Sequence, residues 1–455
     1  MAKPNKLKIL LPYFVIFLIA GLVLSQGINK PLYGHHDWNG VFYGNIARNY
    51  LNLGLIKTKL GQVTSTRLLS GKFSFYTHYP PLLPLSIAFS YWLFGISALT
   101  TRLVPIIFSA ASILMLFKIS QQLKFSLLSS LASLIVIFTP MYRYFSKMPD
   151  QEAPLIFFSL LSLYYYLKLL KTPTKKLKLK FYLSVIFNGL TAWAGYFLYP
   201  LLTLYSYFFH KKSFKTSLKA IYILIVIFFL HLTHTYILTG SFVGGGLIQA
   251  LLLRLNLAGS SPGIPQFTWP KYLAQQAHWL TIYYTASLLI ISLISLVLIA
   301  KNLVKKIKLT QPERIILLLL AWGLSYPLIF SNVVFVHEYF NFFFMPFLAL
   351  SLAWLINQLQ SRQPLLAIIL ALVFTGLIYQ ERLPFYKALE VTQAHKPGYQ
   401  LGTLINQTVP QDQPAHIIAS DEFIDSQSVF IKFYSDRQIN FVDTPSLDSQ
   451  FVFYE

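Results

Sequence analysis

The chain has 455 residues, of which 55% are hydrophobic and only 11% charged, and its formal net charge is +22. Soluble domains average about 25% charged residues, so this composition excludes an ordinary soluble protein. The lack of any cysteine excludes disulfides, zinc-thiolate sites and thiol chemistry. The excess of lysine does not point to nucleic acid, because it sits in short loops between apolar runs.

In chain order, Lys3, Lys6 and Lys8 precede an apolar run. A signal peptide has a similar layout, but Ser25-Gln26-Gly27 is a poor cleavage site, so a retained span over 9–26 with a cytoplasmic N-terminus is expected. A long outer loop, 28–79, follows. The apolar run 80–95 opens with Pro80-Pro81-Leu82-Leu83-Pro84 and is short for crossing a bilayer. Were it to cross, Lys168, Lys171, Lys175, Lys176, Lys178 and Lys180 would fall outside. It is therefore read as re-entrant or interfacial. Further spans are expected over 102–118, 126–144, 151–168, 182–197, 199–210, 218–239, 279–300, 313–331, 341–358 and 364–380, making about eleven transmembrane helices. Lys211–Lys219 and Lys301–Lys308 then also lie inside, where such loops can meet anionic lipid headgroups.

This trace divides the chain into an all-α polytopic membrane domain, 1–380, and a small extracytoplasmic α/β domain, 381–455. Residues 240–278 form a second outer loop, irregular at Gly244-Gly245-Gly246 and Ser260-Ser261-Pro262. In the tail, 416–420 and 438–442 read as strands and 402–407 as a helix end. Asn406-Gln407-Thr408 matches a glycosylation sequon, a weak signal.

The same trace leaves only Glu313 of the 15 acids inside. Ten of the outer ones belong to the tail, leaving Asp37, Asp150, Glu152 and Glu338 at the membrane surface. Asp37 stands alone in Tyr33-Gly34-His35-His36-Asp37-Trp38-Asn39-Gly40. Tyr43, Ala47, Tyr50, Leu51 and Leu53 then suggest an amphipathic interfacial helix closing at Gly54. Asp37 is a candidate base, or a cap of that helix. Arg102, Arg143 and Lys147 are cations kept on the outer face, as phosphate binding would require; snorkelling to the interface is the plainer account. Asp150 and Glu152 open a span at a dipole-favoured position. His337, Glu338 and Tyr339 gather at an apolar boundary, where polar groups are costly unless solvated or used. His35 and His36 could ligate a divalent metal with Asp37 or Asp150. That reading is not favoured, since adjacent side chains diverge, and the need for any cofactor stays open.

The order of these motifs resembles the GT-C membrane glycosyltransferases, in particular the protein mannosyltransferase and lipid A aminoarabinose transferase group, glycosyltransferase family 39 and its bacterial relatives. The residues that carry it, within about 1–380, are the early Asp37, His78-Tyr79-Pro80-Pro81-Leu82, Phe94-Gly95-Ile96-Ser97, Thr101-Arg102-Leu103-Val104-Pro105, Pro149-Asp150 and His337-Glu338-Tyr339-Phe340 with Met345-Pro346. The resemblance implies a polyprenyl-phosphate sugar donor, with Asp37 as the catalytic carboxylate and Asp150 as a second acid near it. Many members carry an Asp-Glu pair where this chain has Asp37-Trp38, which leaves one base and weakens any carry-over of metal binding.

The expectation is an inverting glycosyltransferase of the plasma membrane, working on the outer face on a lipid, glycan or protein acceptor. Asp37 would act as general base. Arg102, Arg143, Lys147 and His337 would bind the donor phosphate, with Glu338, Tyr339, His36 and His78 in support. The rival readings are a transporter or flippase of lipid-linked sugars, and a scaffold with an outer binding domain. Transporters place charge near the bilayer midplane, whereas these spans are nearly free of it.

Overall fold

The computed structural model describes residues 6–65, 73–255, 257, 267–443 and 451–454. Ser260 and its neighbours in the second outer loop lie outside that set. The chain opens with α1 (Lys6–Leu24) and α2 (Asp37–Leu53), which stops at Gly54, where a φ of 83° suits glycine alone. A two-stranded hairpin, β1 (Gln62–Val63) and β2 (Phe75–Tyr76), leads to α3 (Leu82–Phe94). At 13 residues α3 is too short to cross a bilayer unaided. A reciprocal Ser97–Thr100 capping box starts α4 (Ala98–Gln122).

The single span expected over 126–144 is broken into α5 (Leu127–Ala132), a 3-10 stretch (Ser133–Phe138) and α6 (Pro140–Phe145). Pro140 cannot continue a preceding helix and starts a new one instead. Then come α7 (Glu152–Lys171), α8 (Lys175–Gly189), α9 (Leu198–Phe209) and α10 (Phe214–Thr239). The second outer loop contains α11 (Leu247–Arg254) and the start of α12 (Trp269–Tyr284). Thr285, at a φ of 71°, separates α12 from α13 (Ala286–Val304), so the span expected over 279–300 begins later. The membrane part closes with α14 (Gln311–Ile329), α15 (Ser331–Val334), a 3-10 turn (Glu338–Phe344) running into α16 (Met345–Gln360), and α17 (Pro364–Glu390).

Among the described residues, 7 helices are long and apolar enough to cross a membrane. The spans expected over 9–26, 126–144, 182–197 and 199–210 are shorter or broken. The Glu338–Gln360 stretch is buried along its whole apolar length and forms the centre of the bundle. An all-round apolar helix is stable only in such a place.

The tail is α18 (Lys396–Thr408), β3 (Ala415–Ile418), α19 (Asp421–Ser435), β4 (Ile439–Phe441) and β5 (Val452–Tyr454). Its strands form a parallel sheet in the order β4-β3-β5. It docks onto α2: Phe430 and Phe433 of α19 pack with Leu32 and Val41, and Arg48 pairs with Asp436 at 3.2 Å. Arg48 is buried there with Asn45 beside it, while Asn39 and Asn49 are buried against Asp150 and the Val63 carbonyl. The helix expected to be amphipathic is packed between α3 and the tail, with α19 covering Arg48 and Gly44 on one side.

Candidate active site

Arg102 stands in the second turn of α4, only 6% exposed, and its guanidinium gathers the first outer loop. It donates to the carbonyls of Ile28 (3.2 Å) and Lys30, and to both carboxylate oxygens of Asp37 at 3.1 and 3.2 Å. The Gly34 amide donates to the same carboxylate at 2.8 Å. Asp37 is the first residue of α2 rather than its cap, a position held by His36. The helix dipole there favours its negative charge.

Asp37 faces a cavity of about 290 Å³ shared with Lys30, His35, Arg102, Lys147 and Glu390. Lys147 donates to Glu390 Oε1 (2.8 Å) and to the Gln26 carbonyl (2.8 Å), and Lys30 pairs with the other Glu390 oxygen at 2.5 Å. Burial tends to raise the Glu390 carboxyl, but Lys147 and Lys30 outweigh it and hold the group at about 2. Burial lowers the Lys147 ammonium, against the pull of Glu390. The cavity thus sets three cations against two carboxylates, a balance suited to an anionic guest.

The other expected residues divide around this cavity. Arg143 does not line it; its guanidinium stacks over the Tyr386 ring at 4.2 Å. Asp150 lies across the first turn of α2, where it accepts from Asn39 Nδ2 at 2.6 Å and from the Gln151 amide at 2.7 Å. Burial pushes the Asp150 carboxyl up to about 7, and Glu152 is buried beside it. His337 is lowered to about 4, chiefly by burial, so near neutral pH it offers no charge to a phosphate. The His78 carbonyl accepts from Trp193 Nε1 at 2.7 Å, and Tyr339 packs edge-on against His36.

Residues that could hold a metal also differ from expectation. His35 and His36 converge on Glu338, not on Asp37 or Asp150. Side chains one apart diverge in regular structure, but His36 has a φ of 56°, and this left-handed kink turns both imidazoles the same way.

Three contributors were missed. Glu390 was assigned to the tail because the apolar run ends near 380; only Phe385, Tyr386 and Leu389 hint that α17 continues. Lys30 had no local signal. Arg254 of α11 stacks over Tyr79 at 5.3 Å and acts electrostatically on Asp150; nothing in its own stretch marked it.

Residues 78–237 match the model of the dolichyl-phosphate-mannose-protein mannosyltransferase family. The matched stretch begins beyond Asp37. No curated protein sequence matches the chain. Among solved structures, it is similar to the Archaeoglobus fulgidus oligosaccharyltransferase in its apo form (TM-score 0.63, 13% identity), over 94% of this chain and 64% of that one. The chain thus spans just under two thirds of that protein's length. It is similar also to ArnT from Cupriavidus metallidurans bound to undecaprenyl phosphate (TM-score 0.63, 12% identity), over 96% of this chain and 86% of that one. The chain therefore has the polytopic GT-C membrane fold, and the resemblance read from its motifs is borne out.

Proposed function

We propose that this protein is an integral membrane glycosyltransferase that moves a sugar from a polyprenyl-phosphate donor to an acceptor hydroxyl, with Asp37 as general base. The family match and the undecaprenyl phosphate held by a protein of the same fold support the donor class. The observation that carries the reading is the shared cavity: one oriented carboxylate, Asp37, beside Lys30, Arg102 and Lys147.

In the proposed step the acceptor oxygen attacks the anomeric carbon while its proton passes to Asp37. The bond from that carbon to the phosphate oxygen breaks on the opposite face, so the configuration inverts. The lipid phosphate leaves as an anion and takes no proton. A poor leaving group needs a second carboxyl as acid; a phosphate needs fixed positive charge. Lys147 and Lys30 would meet it, and Arg102 would hold Asp37 in place. Arg143 and His337, expected as phosphate ligands, lie off the cavity and are left out of this scheme.

The reaction would take place on the extracytoplasmic face of the plasma membrane. The supporting observation is that Lys168–Lys180, Lys211–Lys219 and Lys301–Lys308 occupy the helix ends away from the cavity, as the positive-inside bias expects of cytoplasmic loops.

The test is Asp37→Asn assayed for sugar transfer from a polyprenyl-phosphate donor in membranes. A general base contributes about 10²–10⁴-fold to rate, so a loss of that size is expected with expression unchanged. Wild-type turnover by the variant would overturn the assignment.

A further inference from the structure

We propose that Glu390 is a built-in counter-ion that holds Lys147 and Lys30 before the donor arrives and competes with the lipid phosphate for them. The inference rests on the reading of these two lysines as the phosphate's partners. It adds that the donor displaces Glu390 on binding, and that Glu390 displaces the lipid phosphate once the sugar has left it.

One carboxylate spans both ammonium groups. Lys147 Nζ lies 2.8 Å from Glu390 Oε1, and Lys30 Nζ lies 2.5 Å from Oε2. A phosphate bound by the same two groups makes the same charge-assisted hydrogen bonds, so its oxygens take the place of the carboxylate oxygens. The two anions therefore exclude each other. All three side chains line the cavity, which leaves their pairing open to a guest.

The lysines differ in what they require. Lys147 is 7% exposed, and a buried ammonium without an anion is strongly unfavourable. Some anion must stand beside it throughout the cycle. The Lys30 side chain is 53% exposed, and an ion pair so open to water contributes little. Glu390 is thus held firmly enough to serve Lys147 and loosely enough to be exchanged. It is the last residue of α17, and Val391 after it is exposed, so its withdrawal leaves the helix core untouched. The Tyr386 hydroxyl donates to Oε1 at 2.6 Å. That bond lies within α17 and depends on neither lysine.

Charge fixes the sense of the effect. Two ammonium groups and one carboxylate leave a single positive charge. A sugar-linked lipid phosphate is a diester with one negative charge, whereas the released lipid phosphate is a monoester with about −1.5 to −2 at pH 7. Two lysines alone would hold the released phosphate more tightly than the donor and delay its departure. Glu390 opposes that bias, because it repels the more highly charged anion more strongly.

The experiment titrates the full chain in detergent with farnesyl phosphate and follows the heat of binding. Lys147→Gln should bind about tenfold more weakly than wild type, the loss expected of one charge-assisted hydrogen bond. Glu390→Gln should bind about fivefold more tightly, and its sugar transfer should be inhibited by correspondingly less farnesyl phosphate. A carboxylate that merely braced the fold would weaken binding on removal. If Lys147→Gln weakens binding but Glu390→Gln binds no better than wild type, this inference is overturned and the reading of the lysines stands. If the wild type does not bind, or Lys147→Gln binds as well as wild type, both fall. Glu390→Asp keeps the charge but is one methylene too short to span both lysines. It should bind more tightly than wild type and decides the matter if the glutamine variant fails to fold, since unchanged or weaker binding overturns the inference.

Discussion

The Asp37 carboxylate takes its direction from the Gly34 amide and from Arg102, whose guanidinium also gathers the carbonyls of Ile28 and Lys30. A planar fork can hold a carboxylate and several carbonyls at once; a lysine ammonium is a single point charge. Arg102→Lys should therefore keep the charge and lose the aim. We expect its kcat to fall by about 10²-fold, the usual cost of a small misplacement of a reacting group. Donor KM and the thermal midpoint should stay near wild type, and a variant that instead raised KM alone would reassign Arg102 to donor binding. Asp150 permits a different measurement. In the folded chain its carboxyl sits at about 7, from an ordinary 3.8. Between those values the folded state holds a proton that the unfolded state has released, so this group's contribution to stability declines as pH rises from about 4 to about 7. Asp150→Asn should flatten that part of the thermal midpoint against pH in detergent. An unchanged slope would show that Asp150 is not the group concerned.

The contact of α2 with α19 depends on one small residue at the element scale. A Cβ on Gly44 would come within 2.7 Å of both the Phe433 ring and the Tyr91 hydroxyl. Overpacking of this kind costs about 1–3 kcal/mol, so Gly44→Ala should lower the thermal midpoint and loosen the tail, seen as faster proteolysis between 391 and 396. If both are unchanged, the tail does not depend on this contact. Individual elements were largely readable from the chain: Gly54 ends α2 as expected, and β3 and β4 overlap the stretches 416–420 and 438–442. The readable signals were local, namely glycine punctuation, alternation and apolar length. The site was less so. Asp37 and Arg102 were identified by their placement, but their pairing joins positions 65 apart. Tyr434 meets Leu32 across 402 positions. No periodicity in a single segment encodes such a contact. The convergence of His35 and His36 is hidden for a related reason, since the expectation that neighbours diverge assumes a regular backbone, which His36 does not have.

Over the whole molecule, the lysine-rich loops stand at helix ends that do not line the cavity. α7 runs from Glu152, beside Asp150, to Lys171, and α10 runs from the lysines at 211–219 up to His231, which contacts the Thr77 carbonyl of the first outer loop. Glu313, the one acid expected inside, has a local task there: it closes a capping box with Thr310 at the start of α14. Two of the long helices, α4 and α17, carry one end to the cavity, at Arg102 and Glu390, and have the other beside Lys124 and Arg362. The chain's lack of cysteine makes the orientation measurable. Single cysteines at Lys176 and at Glu422 of the tail are both exposed, so neither should disturb packing. In intact cells a membrane-impermeant thiol reagent should label Glu422→Cys and leave Lys176→Cys untouched until the membrane is opened. The reverse pattern would place the cavity on the cytoplasmic side, and with it any donor lipid, so that the outer-face reaction would have to be abandoned even if Asp37 proved essential.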